Sequence, residues 1–150
     1  MFACTFFGHG DSPDSLFPIL KEKILNLLIH HQVTVFYVRT HGNFDTMAYR
    51  ATKELQVEYP VIRVYRVLAY MPNEEIADSI LPEGIELVYP KYAISWRNKW
   101  MLDHADYVIA YTTHNYGGAA KYVKQANRKC KTVIIFSAFI LKNNIFALSR

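Results

Sequence analysis

The chain has 150 residues, of which 51% are hydrophobic, 15% aromatic and 20% charged, a balance typical of one globular domain over residues 1–150. This composition excludes a disordered or fibrous chain. The formal net charge of +4 comes from scattered basic residues, so it favours anionic partners without indicating a nucleic-acid-binding surface.

The cysteines and the apolar runs indicate a cytoplasmic protein without a metal or a membrane segment. Cys4 and Cys130 lie far apart, within or beside apolar runs, which predicts buried free thiols. Neither Cys-x-x-Cys nor His-Glu-x-x-His is present, so no metal site and no cofactor are expected. No apolar run approaches the roughly 18 residues that span a membrane, and the N-terminal MFACTFF lacks the basic segment of a secretion signal.

Five apolar runs of strand length alternate with segments of helical periodicity. This alternation predicts an α/β, Rossmann-like three-layer fold, with a mostly parallel sheet of about five strands and helices on both faces. In chain order the predicted elements are strand 2–7, helix 15–32 capped by Ser15, strand 33–38, helix 45–57, strand 61–68, helix 95–104, strand 107–111, helix 118–128 and strand 132–136.

Two segments depart from this alternation. Residues 70–92 contain three prolines and a glycine, which predicts a long connection with one short helix around residues 73–79 and the role of a lid or binding loop. The closing AFILKNNIFALSR, residues 138–150, is apolar enough to pack, for example on a partner subunit.

Polar residues and glycines follow the carboxyl ends of the predicted strands, where parallel sheets bind their ligands. The segments are GHGDS after the first strand, RTHGNFDTMA after the second, AYMPNEE after the third and TTHNYGGAAK after the fourth. Because these ends meet at one edge, they predict an anion-binding site. These segments and the start of the predicted third helix contain the candidate ligand-binding residues. They are Gly8, His9, Gly10, Arg39, Gly42, Asn43, Asp45, Met71, Pro72, Arg97, Asn98, Met101, Asn115, Gly117, Gly118 and Lys121.

Several of these residues also have a structural interpretation. Gly8-His9-Gly10 forms either a plain turn or a nest of N–H groups for an anion, and His9 contacts a ligand or caps the next helix. Asn43 or Asp45 caps the second helix, or Asp45 holds a ribose hydroxyl. Arg39 contacts a phosphate or forms a surface ion pair.

The helix starts carry the other anion-binding candidates. Arg97 is expected in the first turn of the third helix, where the macrodipole disfavours a cation, so it needs an acidic side chain or a ligand phosphate. Gly117-Gly118 ends a strand and begins a helix, where free N–H groups favour a phosphate and Lys121 adds positive charge. The alternative is a strand-to-helix turn with Gly as the capping residue.

In order along the chain, CTFFGHGDS, THGNFDTMAYRATKEL, VLAYMPNEE, RNKWMLDHADYVIAYTT and NYGGAAKYVKQA together resemble the SLOG superfamily, named for the Smf/DNA-processing protein A and Lonely Guy groups. The resemblance is to its small stand-alone bacterial and phage branch. It implies a Rossmann-like sheet that binds a nucleotide or nucleotide-derived ligand at the strand ends, and it makes a homodimer plausible.

The Lonely Guy branch hydrolyses the N-glycosidic bond of cytokinin nucleotides. Arg97 and Met101 are similar to its first motif, an Arg-containing helix start followed by Met. Gly117 and Gly118 match part of its second motif, Pro-Gly-Gly-x-Gly-Thr-x-x-Glu, but the Glu position falls near residues 122–124, where no carboxylate occurs. Glycosidic cleavage ordinarily uses a carboxylate.

The sequence therefore favours a nucleotide-binding protein, either a sensor or a sequestering module, over an enzyme. The alternative is a nucleotide N-glycosidase in which Asp45, Asp103, Glu74 or Glu75 replaces the motif glutamate. A third possibility is single-stranded DNA binding, by analogy with the DNA-processing branch; the mild basicity gives it little support.

Overall fold

Six strands form the centre of the structure, a computed structural model that describes residues 2–113 and 116–137. The strands are β1 (Phe2–Phe7), β2 (Val33–Val38), β3 (Arg63–Val67), β4 (Ser79–Ile80), β5 (Tyr107–Thr112) and β6 (Thr132–Ser137). Every neighbouring pair is parallel, in the order β4-β3-β2-β1-β5-β6. The predicted Rossmann-like sheet is confirmed, and the predicted number of about five strands is corrected to six.

Four α-helices cover the two faces of this sheet. They are α1 (Phe17–His31), α2 (Asn43–Glu58), α3 (Pro90–Asp103) and α4 (Gly118–Arg128). Phe6 and Phe7 are adjacent in β1 and therefore point to opposite faces. Phe6 joins the core that includes α1 and α2, whereas Phe7 packs with Leu102 of α3 and Tyr122 of α4. The fold thus has three layers.

The connection after β3 differs most from its prediction. Residues 73–79 form no helix, and the two-residue strand β4 pairs with the end of β3 instead. A short 3-10 turn follows at Ile85–Leu87, and α3 begins at Pro90 rather than at residue 95. Proline suits the start of a helix because it has no N–H group, and an N–H group in the first turn would have no partner within the helix.

The start of α1 also differs from its prediction. A 3-10 turn at Asp14–Leu16 includes Ser15, and α1 begins at Phe17 without a side-chain cap. Pro18 lies in the first turn of α1, where proline is tolerated.

The two cysteines lie in different surroundings. Cys4 is buried in β1, and burial raises the pKa of its thiol far above the ordinary range. Cys130, just after α4, is exposed, so the prediction that both thiols are buried is wrong for Cys130. Both are free.

Two further predictions concern the membrane and the end of the chain. In the part of the chain that the structure describes, no helix combines the length and apolarity needed to span a bilayer. The predicted packing segment, residues 138–150, lies outside the described residues.

Candidate functional site

The carboxyl ends of all six strands lie at one edge of the sheet because every strand pair is parallel. Strands β2, β3 and β4 extend the sheet on one side of β1, and β5 and β6 extend it on the other. The strand order therefore reverses at β1, and the loops after β1, β2, β3 and β5 converge at the edge where open α/β sheets bind ligands.

Three glycines allow the loops after β1 and β2 to approach each other closely. A Cβ on Gly8 would lie 2.3 Å from Cγ of Phe44, and a Cβ on Gly42 would lie 3.2 Å from the Cα of Gly10. Gly42 also has a φ of +89°. Gly8 is therefore explained by packing, and Gly42 by packing and backbone conformation, whether or not a ligand also contacts them. A Cβ on Gly10 would lie 3.9 Å from the Cα of Gly42, which is an ordinary contact.

Asn43 fastens these two loops together. Its backbone N–H donates to the carbonyl of Gly10 at 2.9 Å, and its Nδ2 donates to the carbonyl of Ser12 at 2.7 Å and to Oδ1 of Asp14 at 2.8 Å. The N-cap of α2 is Gly42, without a side-chain cap bond. The prediction that Asn43 or Asp45 caps this helix is therefore wrong.

Arg39 and Asp45 form an ion pair at the end of β2. Oδ2 of Asp45 accepts a bond from Nη2 of Arg39 at 2.7 Å, and Oδ1 accepts the backbone N–H of Arg39 at 2.9 Å. The Asp45 side chain is 1% exposed and that of Arg39 19% exposed. Nη2 of Arg39 also reaches the carbonyl of Gly8 at 3.5 Å. Asp45 therefore neutralises much of the Arg39 charge, and the pair is more buried than a surface ion pair.

His9 connects the loop after β1 with the end of β5. Its Nε2 accepts the backbone N–H of Thr113 at 3.1 Å, and its ring packs edge-on against Tyr111 at 6.0 Å. His9 contributes to the architecture of the edge rather than capping a helix.

The glycine pair lies where the sequence places it. Gly117 is the N-cap of α4 with a φ of +93°, and Gly118 is its first residue. A Cβ on either glycine would have no atom of the described residues within 4 Å. Lys121 is exposed one turn further on, and Asn115 lies outside the described residues. This helix start is open enough for an anion to approach.

Arg97 lies in the middle of α3, not in its first turn, because the helix begins at Pro90. The macrodipole argument for an anionic partner therefore does not apply. Arg97 is nevertheless 4% exposed. Its Nε donates to Oδ1 of Asn98 at 2.8 Å, and its Nη1 donates to the carbonyl of Val67 at 3.1 Å. Asn98 thus orients the guanidinium, while Nη2 has no hydrogen-bond partner among the described residues.

The charge of Arg97 is only partly compensated. Burial, and then the nearby charge of Arg39, lower the pKa of Arg97 from its ordinary value to about 10, although Asp45, Tyr122 and Tyr70 act in the opposite direction. No carboxylate among the described residues lies within ion-pair distance of Arg97. Tyr122 lies among residues 122–124, where the resemblance to the Lonely Guy motif would place a glutamate. Its ring stacks on the ring of Phe7 in β1.

A cleft of about 380 Å³ lies at this edge, between the loop after β2, the end of β3 and α3. Arg66 and Arg97 line it together with Thr40 and His41, and no carboxylate is among its described lining residues. Apolar walls complete it, including the predicted site residues Met71 and Pro72. Met71 is 76% exposed, whereas the predicted site residue Met101 is fully buried in the core.

A second cavity of about 540 Å³ adjoins this cleft. Residues Ala69, Tyr70 and Met71 line both cavities, so they form the wall between them. The hydroxyl of Tyr70 donates to the carbonyl of Pro90 at 2.7 Å, which fixes this wall to the start of α3. The predicted binding loop therefore borders both cavities.

Sequence reasoning missed Arg66, and it included Tyr70 only as the start of the predicted lid or binding loop, residues 70–92. Arg66 lies within the run VIRVYRVLA, which was interpreted only as a strand. A charged residue near the carboxyl end of an apolar strand was the available signal. The described residues contain no group of three or more His, Cys, Asp or Glu side chains able to hold a metal ion.

No protein-family model matches the chain, and no curated protein matches it.

Proposed function

We propose that this chain binds a nucleotide or nucleotide derivative, as a sensor or sequestering module, and that Arg97 contacts a phosphate of the ligand. The observation that carries the proposal is a buried arginine that lines a cleft without a carboxylate partner. Asn98 and the carbonyl of Val67 engage two of its nitrogens, which holds the guanidinium in place.

The electrostatics support an anionic ligand. A buried cation without a close counter-charge is costly, and the lowered pKa of Arg97 reflects that cost. A phosphate supplies the opposite charge in a geometry that suits the planar guanidinium. Arg66 and His41 line the same cleft, and its described lining contributes no competing negative charge.

The walls of the cleft support a ligand larger than a simple anion. Its volume of about 380 Å³ falls within the range of small-molecule sites, roughly 300–1,000 Å³. Leu68, Ile76 and Ile94 give it an apolar lining beside the two arginines. An anionic group attached to a less polar part, as in a nucleotide, matches this combination.

Binding without hydrolysis is favoured by the positions of the carboxylates. Asp45 is engaged by Arg39, and Asp103 pairs with Lys99 and Lys129 at the end of α3, near the opposite edge of the sheet. Glu74 and Glu75 are exposed in the loop after β3 and are not among the described lining residues of the cleft. N-glycosidase activity and single-stranded DNA binding stay predictions of the sequence. Release of free base from AMP tests the first, and a steep salt dependence of oligonucleotide binding tests the second.

We also propose membership of the SLOG superfamily, which the ordered segments and the parallel sheet support. A homodimer stays a prediction, and light scattering of the purified protein tests it.

Isothermal titration calorimetry with AMP, ADP-ribose and cyclic AMP tests the proposed function. We expect at least one of them to bind. Arg97→Ala should weaken that binding by about 1.5–3 kcal/mol, or roughly 10- to 150-fold, because a charge-assisted hydrogen bond is lost. Arg63→Ala is the matched control, since Arg63 is exposed at the start of β3, at the other edge of the sheet.

The control should bind as the wild type does, and circular dichroism should show that both variants are folded. Failure of folded wild-type protein to bind any of these nucleotides would contradict the proposal. Equal affinities in the wild type and Arg97→Ala would assign Arg97 a purely structural role.

A further inference from the structure

Arg66 is a second arginine of the cleft, and its Nε is fully buried without a hydrogen-bond partner among the described residues. It precedes Val67, the last residue of β3, and its backbone N–H donates to the carbonyl of Asp78 at 2.8 Å. A buried polar group without a partner is rare in folded proteins. Because Arg66 also lines the cleft, its other guanidinium nitrogens are candidates for contact with a ligand.

The surroundings of Arg66 hold its guanidinium without neutralising it at close range. The guanidinium carbon lies 3.8 Å from the centre of the Tyr49 ring. The carboxylate of Asp78 accepts a hydrogen bond from the Tyr49 hydroxyl at 2.7 Å and pairs with Lys53 at 3.2 Å. Among the described residues, none places a carboxylate within ion-pair distance of Arg66.

Arg66 and Arg97 approach the cleft from opposite faces of the sheet. Arg66 stacks on Tyr49 of α2, which covers one face, whereas Arg97 belongs to α3 on the other face. Nη1 of Arg97 is bound to the carbonyl of Val67, the residue after Arg66. The two guanidinium groups thus reach one cleft from either side of β3, an arrangement that suits a ligand with two anionic groups.

We propose that the ligand carries two neighbouring anionic groups, as a nucleoside diphosphate or another pyrophosphate-containing nucleotide does. Arg97 contacts one phosphate and Arg66 the other, so Arg66 sets the preference for a diphosphate over a monophosphate. This inference rests on the proposed nucleotide-binding function and adds the class of nucleotide and a specificity-determining residue.

The test compares the affinities of ADP and AMP by calorimetry, with EDTA present so that metal-free nucleotides are compared. Wild-type protein should bind ADP about tenfold more tightly than AMP, or more, because a second charge-assisted contact forms. Arg66→Met retains an unbranched stem beside Tyr49 but removes the charge. It should lower the affinity for ADP about tenfold and leave that for AMP nearly unchanged.

Arg63→Met is the matched control, because it removes the same charge from the other end of β3 and should retain the preference for ADP. Where Arg66→Met fails to fold, Arg66→Lys replaces it. Lysine retains the charge but lacks the planar fork, so the preference should fall part of the way.

Equal affinities of wild-type protein for ADP and AMP would overturn this inference while leaving the proposed function intact. An unchanged preference in a folded Arg66 variant would overturn the role of Arg66. Absence of binding to both nucleotides and to ADP-ribose would overturn the inference together with the proposed function.

Discussion

Substituting Gly8 with alanine tests whether the loop after β1 needs glycine for packing. The added Cβ would lie 2.3 Å from Cγ of Phe44, 2.5 Å from its Cδ2 and 2.8 Å from its Cβ. Carbon atoms in ordinary contact are about 3.5–4.0 Å apart, so the ring would have to move by about 1.2 Å or more. Phe44 is fully buried against Phe6 and Tyr111, which leaves little space for that movement.

The magnitude follows from two opposing effects. Overpacking of a buried site costs about 1–3 kcal/mol, and replacing glycine reduces the entropy of the unfolded chain, which returns about 0.4–1 kcal/mol. Because the clash involves three atoms of a buried ring, we expect a net loss of about 2 kcal/mol. In a domain of this size, that loss lowers Tm by roughly 4–8 °C.

Urea denaturation followed by circular dichroism measures this loss. Gly118→Ala is the matched control, because a Cβ on Gly118 meets no atom within 4 Å. Its free energy of unfolding should be unchanged or higher by up to about 1 kcal/mol. Phe44→Leu provides space beside Gly8, so the double variant should be more stable than the sum of the two single effects predicts, by about 1 kcal/mol.

The packing explanation fails if Gly8→Ala is as stable as the wild type. It also fails if the effects of Gly8→Ala and Phe44→Leu are additive, because the two residues would then not be in conflict.

Two further predictions concern charges. Asp45→Asn should lower the free energy of unfolding by about 2–3 kcal/mol at neutral pH, because it removes the counter-charge of the largely buried Arg39; a loss below about 0.5 kcal/mol in urea titrations would contradict this. The pKa of Asp78 is held below its usual value, mainly by a hydrogen bond from a tyrosine hydroxyl. The ionised carboxylate therefore stabilises the fold at neutral pH. That contribution is lost as the solution is acidified through the lowered pKa. Wild-type protein should therefore be more stable than Asp78→Asn at neutral pH, by only about 0.5 kcal/mol because solvent screens this carboxylate. The difference in stability should be smaller at about pH 2.5. A difference that does not change with pH would refute the assignment.

Much of the fold follows from local sequence patterns. The runs at β1 and β2 are apolar and rich in β-branched and aromatic residues, and the bounds of both strands were predicted correctly. Gly117-Gly118 likewise marks the start of α4. Strand β4 was missed because two residues carry no periodicity and form a strand only by pairing with the end of β3. Pro90 was interpreted as part of a loop, although proline also begins helices.

The site was less predictable because its contacts join distant parts of the chain. The sequence indicated Arg39, Asp45 and Arg97, but only the fold shows that the first two neutralise each other while the third has no close carboxylate. The guanidinium of Arg66 packs on Tyr49, whose hydroxyl binds the carboxylate of Asp78, and no local pattern connects these three residues.

The close contact between Gly10 and Gly42 has a consequence for local opening of the structure. This contact and the hydrogen bonds that Asn43 makes to Gly10, Ser12 and Asp14 join the loops after β1 and β2 into one unit. Loops ordinarily exchange their amide hydrogens quickly and independently. Here the amide hydrogen of Asn43 should exchange slowly with solvent, and the two loops should open in a single cooperative step.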